Sequence, residues 1–220
     1  MKTAALLHTV MSVASTFGSQ LKEYMGGDIK IYNIWDDFLA INPNEIGEFT
    51  TVNKNRLLQD IKTAEQTGAD VIVVTCSTLT PHMPYIRPYI SVPVIAIDDA
   101  MTIKAAEIGG KILVVATARS TIQGTTDKVL EDAAKLGKTV EVDQMVLSDA
   151  FAAMQAGDMA KHNELLIGAV KDVKGYDCVV LAQASMAPCA KEIESYIGVP
   201  VLGSPALCME SVKACLEGID

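Results

Sequence analysis

The chain has 220 residues, half of them hydrophobic, and a formal net charge of -9 at pH 7. This composition can bury a substantial core, and no basic cluster is present of the kind that binds nucleic acid or an anionic membrane. Apolar runs stay far below the roughly 20 residues that span a bilayer. His8 and Thr9 interrupt the apolar N-terminus, which favours a buried first strand over a signal peptide. We therefore expect a soluble, cytoplasmic protein.

Eight short apolar runs alternate with segments of helical periodicity. In chain order the runs are AALLHTV, IKIYNI, DVIVVT, PVIAI, KILVVA, VEVDQM, DCVVLA and PVLG. Most are continuous in hydrophobicity, which indicates strands covered on both faces, as in parallel sheets with helices packed around them. Residues 52–67 and 101–108 carry spaced apolar side chains on a polar background and predict amphipathic helices. The pattern predicts an α/β protein.

An internal repeat relates two parts of the chain. The segment GADVIVVTCSTLTPHMPYIRPYISVPVIAI aligns without a gap with GYDCVVLAQASMAPCAKEIESYIGVPVLGS at an offset of 107 residues (175 − 68). More loosely, residues 5–10 fall at the same offset as 112–117. We predict two pseudo-symmetric doubly wound parallel-sheet halves, 1–100 and 101–220, with the C-terminal helix as a candidate to pack back on the first half. Ligands bind outside the carboxyl ends of parallel strands, so the active site is expected in the cleft between the halves.

Cys76 is the most informative of five cysteines. Their odd number, without Cys-x-x-Cys pairs or neighbouring His, predicts reduced thiols and no zinc site. The strand DVIVVT runs directly into Cys76, which is followed by Ser77 and Thr78. A thiol, two hydroxyls and backbone N–H groups at a strand-to-helix turn predict a carboxylate site that favours the thiolate, which can move a proton at carbon. The alternative is a buried Cys beside a helix cap. Packing roles are expected for the remaining cysteines: Cys178, Cys189, Cys208 and Cys215.

The motifs VVTCST, LAQASM, VPVI and VPVL resemble the aspartate/glutamate/hydantoin racemase superfamily. The resemblance covers the whole chain as an architecture. It implies a cofactor-independent enzyme for a small carboxylate, and a homo-oligomer as a further candidate feature. In that family two facing cysteines flank the substrate α-carbon, one removing the α-proton and the other delivering a proton to the opposite face. Cys76 matches the first, and Ser77 and Thr78 match neighbours that hold the substrate carboxylate.

The second family cysteine falls on Gln183, where the sequence departs from the family pattern. An amide cannot exchange protons as a thiol does at neutral pH. Hydroxyl, amide and backbone groups at the other strand ends are instead expected to bind substrate oxygens. These candidates are Thr9, Thr117, Thr121, Gln183, Ala184 and Ser185, with Ser120 as a weaker one.

Two histidines and an acidic pair receive lesser roles. His82 is a weak candidate to polarise Cys76, whereas His8, inside an apolar strand, is expected to be a core residue. Asp98 and Asp99 are interpreted as helix caps or a solvated pair and not as a magnesium site. The sequence has no dinucleotide-binding loop or phosphate-binding loop and no lysine that stands out for pyridoxal phosphate. We therefore predict neither metal nor cofactor.

Three functions stay open at this point. The first is a racemase or isomerase that acts alpha to the carboxylate of an amino acid, hydantoin or related small acid, with Cys76 as proton shuttle. The second is a single-thiol lyase or decarboxylase, or a cis-trans isomerase of a small dicarboxylic acid. Its decarboxylase form is weakened because the family's decarboxylase keeps the second-half thiol. The third, motivated by Gln183, is a catalytically degenerate protein that binds a small acid.

Overall fold

The computed structural model describes residues 1–219, except for the side chain of Ser120. The chain forms two compact units. Unit 1 comprises Met1–Asp99 and the C-terminal segment from Pro205, and unit 2 comprises Ala100–Ser204. Each contains one four-stranded, all-parallel sheet, which confirms the predicted α/β class with two similar halves. No helix in the described part of the chain is long and apolar enough to cross a membrane.

The elements alternate between strands and helices along the whole chain. The first part contains β1 (Lys2–His8), α1 (Met11–Ala14), α2 (Phe17–Tyr24), β2 (Ile29–Trp35), α3 (Phe38–Ile46), α4 (Thr51–Gln66), β3 (Val71–Val74), α5 (Met83–Ile86), β4 (Val94–Ala96) and α6 (Asp99–Ile108). The second part contains β5 (Gly110–Ala116), α7 (Arg119–Lys135), β6 (Val140–Val146), α8 (Ser148–Gln155), α9 (Met159–Val170), β7 (Cys178–Leu181), α10 (Ala190–Ile197), β8 (Val201–Gly203) and α11 (Ser204–Glu217). Short 3-10 helices occupy Thr80–His82, Arg87–Tyr89 and Ala184–Cys189. All eight predicted strands are present within these ranges.

The two sheets have the same strand order, β2-β1-β3-β4 and β6-β5-β7-β8. Every residue of the inner strands β3 and β7 is buried, whereas the edge strands β2 and β6 expose part of their side chains. An inner strand covered on both faces needs a continuous apolar run, and an edge strand does not. This difference explains why VIVV and CVVL are uninterrupted while VEVDQM alternates.

Each sheet carries its own hydrophobic core. In both units, apolar side chains of the two inner strands pack against long helices, so that burial of the strand residues and burial of the helix faces depend on each other. The principal members are Leu7, Val74, Leu57, Ile61 and Met83 in unit 1 and Val115, Leu181, Leu166, Val170 and Met186 in unit 2.

The strand register corrects the predicted alignment of the repeat by one residue. In unit 1, Leu7 of β1 pairs with Val74 of β3, and in unit 2, Val115 of β5 pairs with Leu181 of β7. The inner strands β3 and β7 are therefore 107 residues apart, as predicted, but β1 and β5 are 108 apart. The expected match of residues 5–10 with 112–117 was wrong by one position because the chain from β5 to β7 is one residue shorter than the chain from β1 to β3.

Gly110 begins β5 in a conformation that requires glycine. Its φ is +69°, and a Cβ at this position would collide with the carboxylate of Asp177. That carboxylate accepts a hydrogen bond of 2.7 Å from the backbone N–H of Lys111. In unit 1 the repeat-related Asp70 accepts a hydrogen bond of the same length from the backbone N–H of Thr3. The Gly109-Gly110 pair thus serves strand pairing at the amino end of the sheet.

Candidate active site

Thr9 and Cys76 lie next to each other at the carboxyl end of the unit 1 sheet. Because Leu7 pairs with Val74, the register places the residues that follow β1 and β3 side by side. Thr9 is 4% exposed and Cys76 is 8% exposed. The Thr9 hydroxyl is close enough to favour the Cys76 thiolate, yet Thr9 Oγ1 makes no hydrogen bond of ordinary geometry within the described residues. The contact is therefore loose, and Thr9 keeps hydrogen-bonding capacity for a ligand.

The pKa of Cys76 is raised above the ordinary value of a thiol. Burial is the main cause, and the negative charge of Asp98 acts in the same direction. The nearby Thr9 hydroxyl and the backbone and hydroxyl of Thr78 lower the pKa but do not outweigh burial. The surroundings of Cys76 thus favour the neutral thiol, contrary to the expected preference for the thiolate.

The backbone after Cys76 forms a turn and not the start of a long helix. The carbonyl of Cys76 accepts a hydrogen bond of 3.0 Å from Leu79 N–H, and a 3-10 helix of three residues follows. Pro81, Pro84 and Pro88 restrict the helices here to very short segments. The helix dipole that was expected to favour the thiolate is therefore small, which agrees with the raised pKa of the thiol.

Asp98 anchors the loop that carries Cys76, a role that the sequence did not reveal. It follows β4, is 1% exposed, and accepts hydrogen bonds of 3.0 Å from both the Ser77 and the Thr80 hydroxyls. Asp98 is therefore not part of a solvated pair, although it directly precedes α6, the position of a helix cap. Asp99 does lie at the start of α6, and it accepts hydrogen bonds from Ala96 N–H and Arg87. Because the Ser77 proton is used by Asp98, Ser77 is less suited to donate to a substrate carboxylate than predicted.

His82 and His8 are both neutral structural residues in this state. Burial lowers the pKa of His82 to about 4, and its ring stacks on Phe49 at 4.0 Å between centroids. His8 is fully buried, and burial lowers its pKa despite a hydrogen bond to Asn33. Its Nδ1 lies 2.7 Å from Thr75 Oγ1, whose hydroxyl donates to the Leu7 carbonyl at 3.0 Å, and its Nε2 lies 3.1 Å from Asn33 Oδ1. His8 is a core residue, as predicted.

A pair of carboxyl groups, Asp36 and Asp60, lies at the carboxyl end of β2. Burial and the neighbouring Asp36 raise the pKa of Asp60 to about 7. Asp60 Oδ2 is buried without a conventional donor in the described part of the chain, so a shared proton with Asp36 is its available hydrogen bond. Arg56 forms a two-point ion pair with Asp36 and, despite an opposing burial effect, keeps the pKa of Asp36 below its usual value. The sequence does not indicate this cluster, because Asp36 follows β2 whereas Arg56 and Asp60 lie in α4.

In unit 2, Gln183 occupies the position equivalent to Cys76, and Thr117 is the equivalent of Thr9. Gln183 Oε1 accepts three hydrogen bonds, from Thr117 N–H at 2.6 Å, Thr117 Oγ1 at 2.9 Å and Ala118 N–H at 3.0 Å. Both units thus place a threonine hydroxyl beside the chemically distinctive residue. In unit 1 that residue is a thiol, and in unit 2 it is an amide whose oxygen is already saturated.

The remaining unit 2 candidates differ in accessibility. Thr121 is buried in the first turn of α7, where its N–H donates to Ala118 C=O at 3.2 Å. Ala184 and Ser185 are half-buried and begin the 3-10 helix after Gln183. The side chain of Ser120 lies outside the described residues.

The other cysteines do not form a second proton-transfer site. Cys178 lies in β7 and Cys189 in the unit 2 core, where burial raises the pKa of each thiol, for Cys178 to about 11. Cys208 of α11 is also buried, whereas Cys215 is half-buried. Among the described residues there is no group of three or more His, Cys, Asp or Glu side chains arranged to hold a metal ion.

The architecture is similar to that of several solved enzymes. A glutamate racemase of Bacillus anthracis matches with a TM-score of 0.74 and 16% identity, over 98% of this chain and 82% of that chain. An allantoin racemase of Klebsiella pneumoniae matches with a TM-score of 0.69 and 18% identity, over 99% and 88%. A liganded double mutant of arylmalonate decarboxylase matches with a TM-score of 0.60 and 14% identity, over 100% and 94%. At these identities the matches show a shared fold.

Family membership follows from the sequence itself. A family model described as Asp/Glu/Hydantoin racemase matches residues 43–212, which include Cys76, Asp98, Thr117 and Gln183. This match confirms the resemblance carried by VVTCST and LAQASM, and it spans well over half of the chain. The protein therefore belongs to the Asp/Glu/hydantoin racemase family.

Proposed function

We propose that this protein is a cofactor-independent, racemase- or isomerase-like enzyme that moves a proton at the carbon alpha to a carboxylate, with Cys76 carrying the proton. The observation that supports this most directly is the Cys76 thiol at the carboxyl end of β3, flanked by hydrogen-bond donors from Thr9 and Thr78. The substrate class is a small acid such as an amino acid or a hydantoin. A homo-oligomeric state and a cytoplasmic location stay predictions.

The donors beside Cys76 have a defined role in this chemistry. When the Cys76 thiolate takes the α-proton, the C–H electron pair moves into the carboxylate and produces an enediolate with additional charge on oxygen. The Thr78 N–H and the Thr9 and Thr78 hydroxyls are the groups available in unit 1 to stabilise that charge. Return of the proton by the same thiol restores the original configuration and regenerates the thiolate. Inversion requires solvent to deliver a proton to the opposite face, after which the Cys76 thiol releases the abstracted proton to solvent.

The raised pKa of Cys76 favours a second candidate, a one-thiol lyase. A neutral thiol can give a proton but cannot take one, so the raised pKa of Cys76 suits an intermediate that needs only protonation. In a decarboxylation, the bond between Cα and one carboxyl carbon breaks, CO₂ leaves, and the electron pair stays on Cα until the thiol protonates it. Solvent then reprotonates the thiolate. The arylmalonate decarboxylase fold match is compatible with this version.

Proton NMR in heavy water tests both candidates on one panel of aspartate, glutamate, hydantoins and arylmalonate-type acids. Wild type is compared with Cys76→Ala and with Cys215→Ala, which removes a half-buried thiol on α11 and serves as the matched control. Loss of an α-proton signal in wild type and Cys215→Ala, but not in Cys76→Ala, supports the proposal. Chiral chromatography of the product separates racemisation from one-sided protonation, and CO₂ release identifies the lyase.

A catalytically degenerate binding protein gives a different result. In that case no compound on the panel exchanges a proton, whereas thermal stabilisation by one of the acids survives Cys76→Ala. Exchange that persists at the wild-type rate in Cys76→Ala would remove Cys76 from the mechanism altogether.

A further inference from the structure

The three hydrogen bonds on Gln183 Oε1 fix the orientation of its amide. All three partners are donors, two backbone N–H groups and one hydroxyl, at 2.6 to 3.0 Å. Only an oxygen can accept from them, so the amide nitrogen Nε2 must be directed away from Thr117 and Ala118. Nε2 makes no hydrogen bond to the described part of the chain, which leaves out the Ser120 side chain, and the Gln183 side chain is half-buried.

These donors form an oxyanion pocket of the kind that binds a carboxylate. Thr117 and Ala118 follow β5 directly, and Ala118 is the N-cap of α7, a helix of 17 residues. Two successive backbone N–H groups at such a helix start, together with a hydroxyl, suit a negatively charged oxygen. In this chain a neutral carbonyl oxygen from the side chain of Gln183 already occupies the pocket.

Unit 1 differs at the equivalent place. Thr9 Oγ1 lacks a hydrogen bond of ordinary geometry among the described residues, and its neighbour Cys76 presents a sulfur, which is a weak acceptor. The Thr9 hydroxyl can therefore still hydrogen-bond to a ligand in unit 1, whereas the hydroxyl of its unit 2 equivalent, Thr117, already donates to Gln183. The two units share a backbone arrangement but not a capacity to bind an anion.

We propose that Gln183 is an internal plug: its side-chain carbonyl takes the place of a carboxylate oxygen in the Thr117/Ala118 pocket and leaves its Nε2 as a fixed donor to an acceptor oxygen of the ligand. Unit 2 therefore recognises its ligand through a neutral amide and does not bind a carboxylate at Thr117. The choice of a small carboxylate as the ligand class rests on the proposed function. The plug itself is tested without turnover.

The test is a titration of ¹⁵N-labelled protein with formate, followed by the backbone amide resonances of Thr117 and Ala118. Formate is chosen because it is the smallest carboxylate and carries no side chain that could bind elsewhere in the site. In Gln183→Ala the two resonances should shift with saturation. In wild type, the formate concentration at half-saturation should be at least about tenfold higher. The Gln183 side chain occupies the pocket most of the time, and the apparent affinity for formate falls in proportion to the fraction of molecules in which the pocket is open. Gln183→Ser, a second variant that is also too short to fill the pocket, should behave as Gln183→Ala.

Two controls make the result specific. Gln183→Glu keeps an oxygen in the pocket and adds a negative charge, so it should exclude formate as wild type does. Cys76→Ala should respond as wild type does, even though the proposed function requires it to be inactive. A protein without turnover can thus still confirm the plug. Equal formate midpoints in wild type and Gln183→Ala, or folded Ala and Ser variants whose Thr117 and Ala118 resonances do not move, would overturn the inference.

Discussion

Replacing Gly110 with Ala should destabilise the protein through two separable effects. The backbone φ of +69° disfavours any residue with a Cβ, at a cost of about 1–2 kcal/mol. The new Cβ also meets the Asp177 carboxylate and displaces it from Lys111 N–H, an exposed hydrogen bond worth about 0.5–1.5 kcal/mol. The free energy of unfolding, measured by urea denaturation, should therefore fall by about 1.5–3.5 kcal/mol.

Gly109 provides a matched control one residue away. Its φ is +77°, but the nearest atom to its hypothetical Cβ is the Ala106 carbonyl oxygen at 3.8 Å. Gly109→Ala should cost only the backbone term of about 1–2 kcal/mol. In an Asp177→Ala background, Gly110→Ala should lower the free energy of unfolding by no more than Gly109→Ala does. The reasoning would be refuted if both glycine substitutions lowered the free energy of unfolding equally, or if Gly110→Ala still lowered it more when Asp177 is absent. Because this end of the sheet is remote from Thr117, the activity per folded molecule should stay unchanged.

Three further predictions concern charge. Asp98→Asn should lower the pKa of Cys76, because the substitution removes a negative charge that raises this pKa. The pH dependence of Cys76 alkylation by iodoacetamide measures the pKa, and an unchanged or higher value would contradict the prediction. For Asp60, the folded chain keeps the proton up to about pH 7 whereas the unfolded chain releases it near 3.8, so its contribution to stability falls as pH rises through this window. Asp60→Asn should remove this decrease in the free energy of unfolding with rising pH, measured by urea denaturation at several pH values. A decrease that persists in the variant would exclude Asp60 as its source. His82 acts in the opposite sense: its pKa is lowered from 6.5 to about 4, so its stabilising effect is lost as pH falls between these values, and His82→Phe should stay stable further into acid than wild type.

The strands could be predicted because burial on two faces leaves a direct trace in the sequence. The inner strands β3 and β7 are continuous apolar runs, and the repeat between them is free of gaps. The position of Cys76 directly after a strand followed from the same pattern. What the pattern could not give was the relative register of β1 and β5, since the chain from β5 to β7 is one residue shorter than the chain from β1 to β3, and this difference leaves the hydrophobicity of each strand unchanged.

The electrostatics of the site depended on contacts between distant parts of the chain. Asp98 and Asp99 are adjacent in sequence, yet one is buried against the Ser77 and Thr80 hydroxyls and the other starts a helix. The burial of Cys76 likewise results from packing, so its raised pKa could not be inferred from VVTCST alone. The saturated amide of Gln183 depends on the backbone conformation at Thr117 and Ala118, which local composition does not specify.

The equivalence of Thr9 and Thr117 has a consequence for how such a duplicated protein can diverge. Each copy supplies the same strand end and the same hydroxyl, so the chemistry of a copy is decided by the single side chain beside it, Cys76 in one and Gln183 in the other. Positions 76 and 183 are therefore the first targets for exchanging the functional group that one unit presents while keeping the strands that carry it.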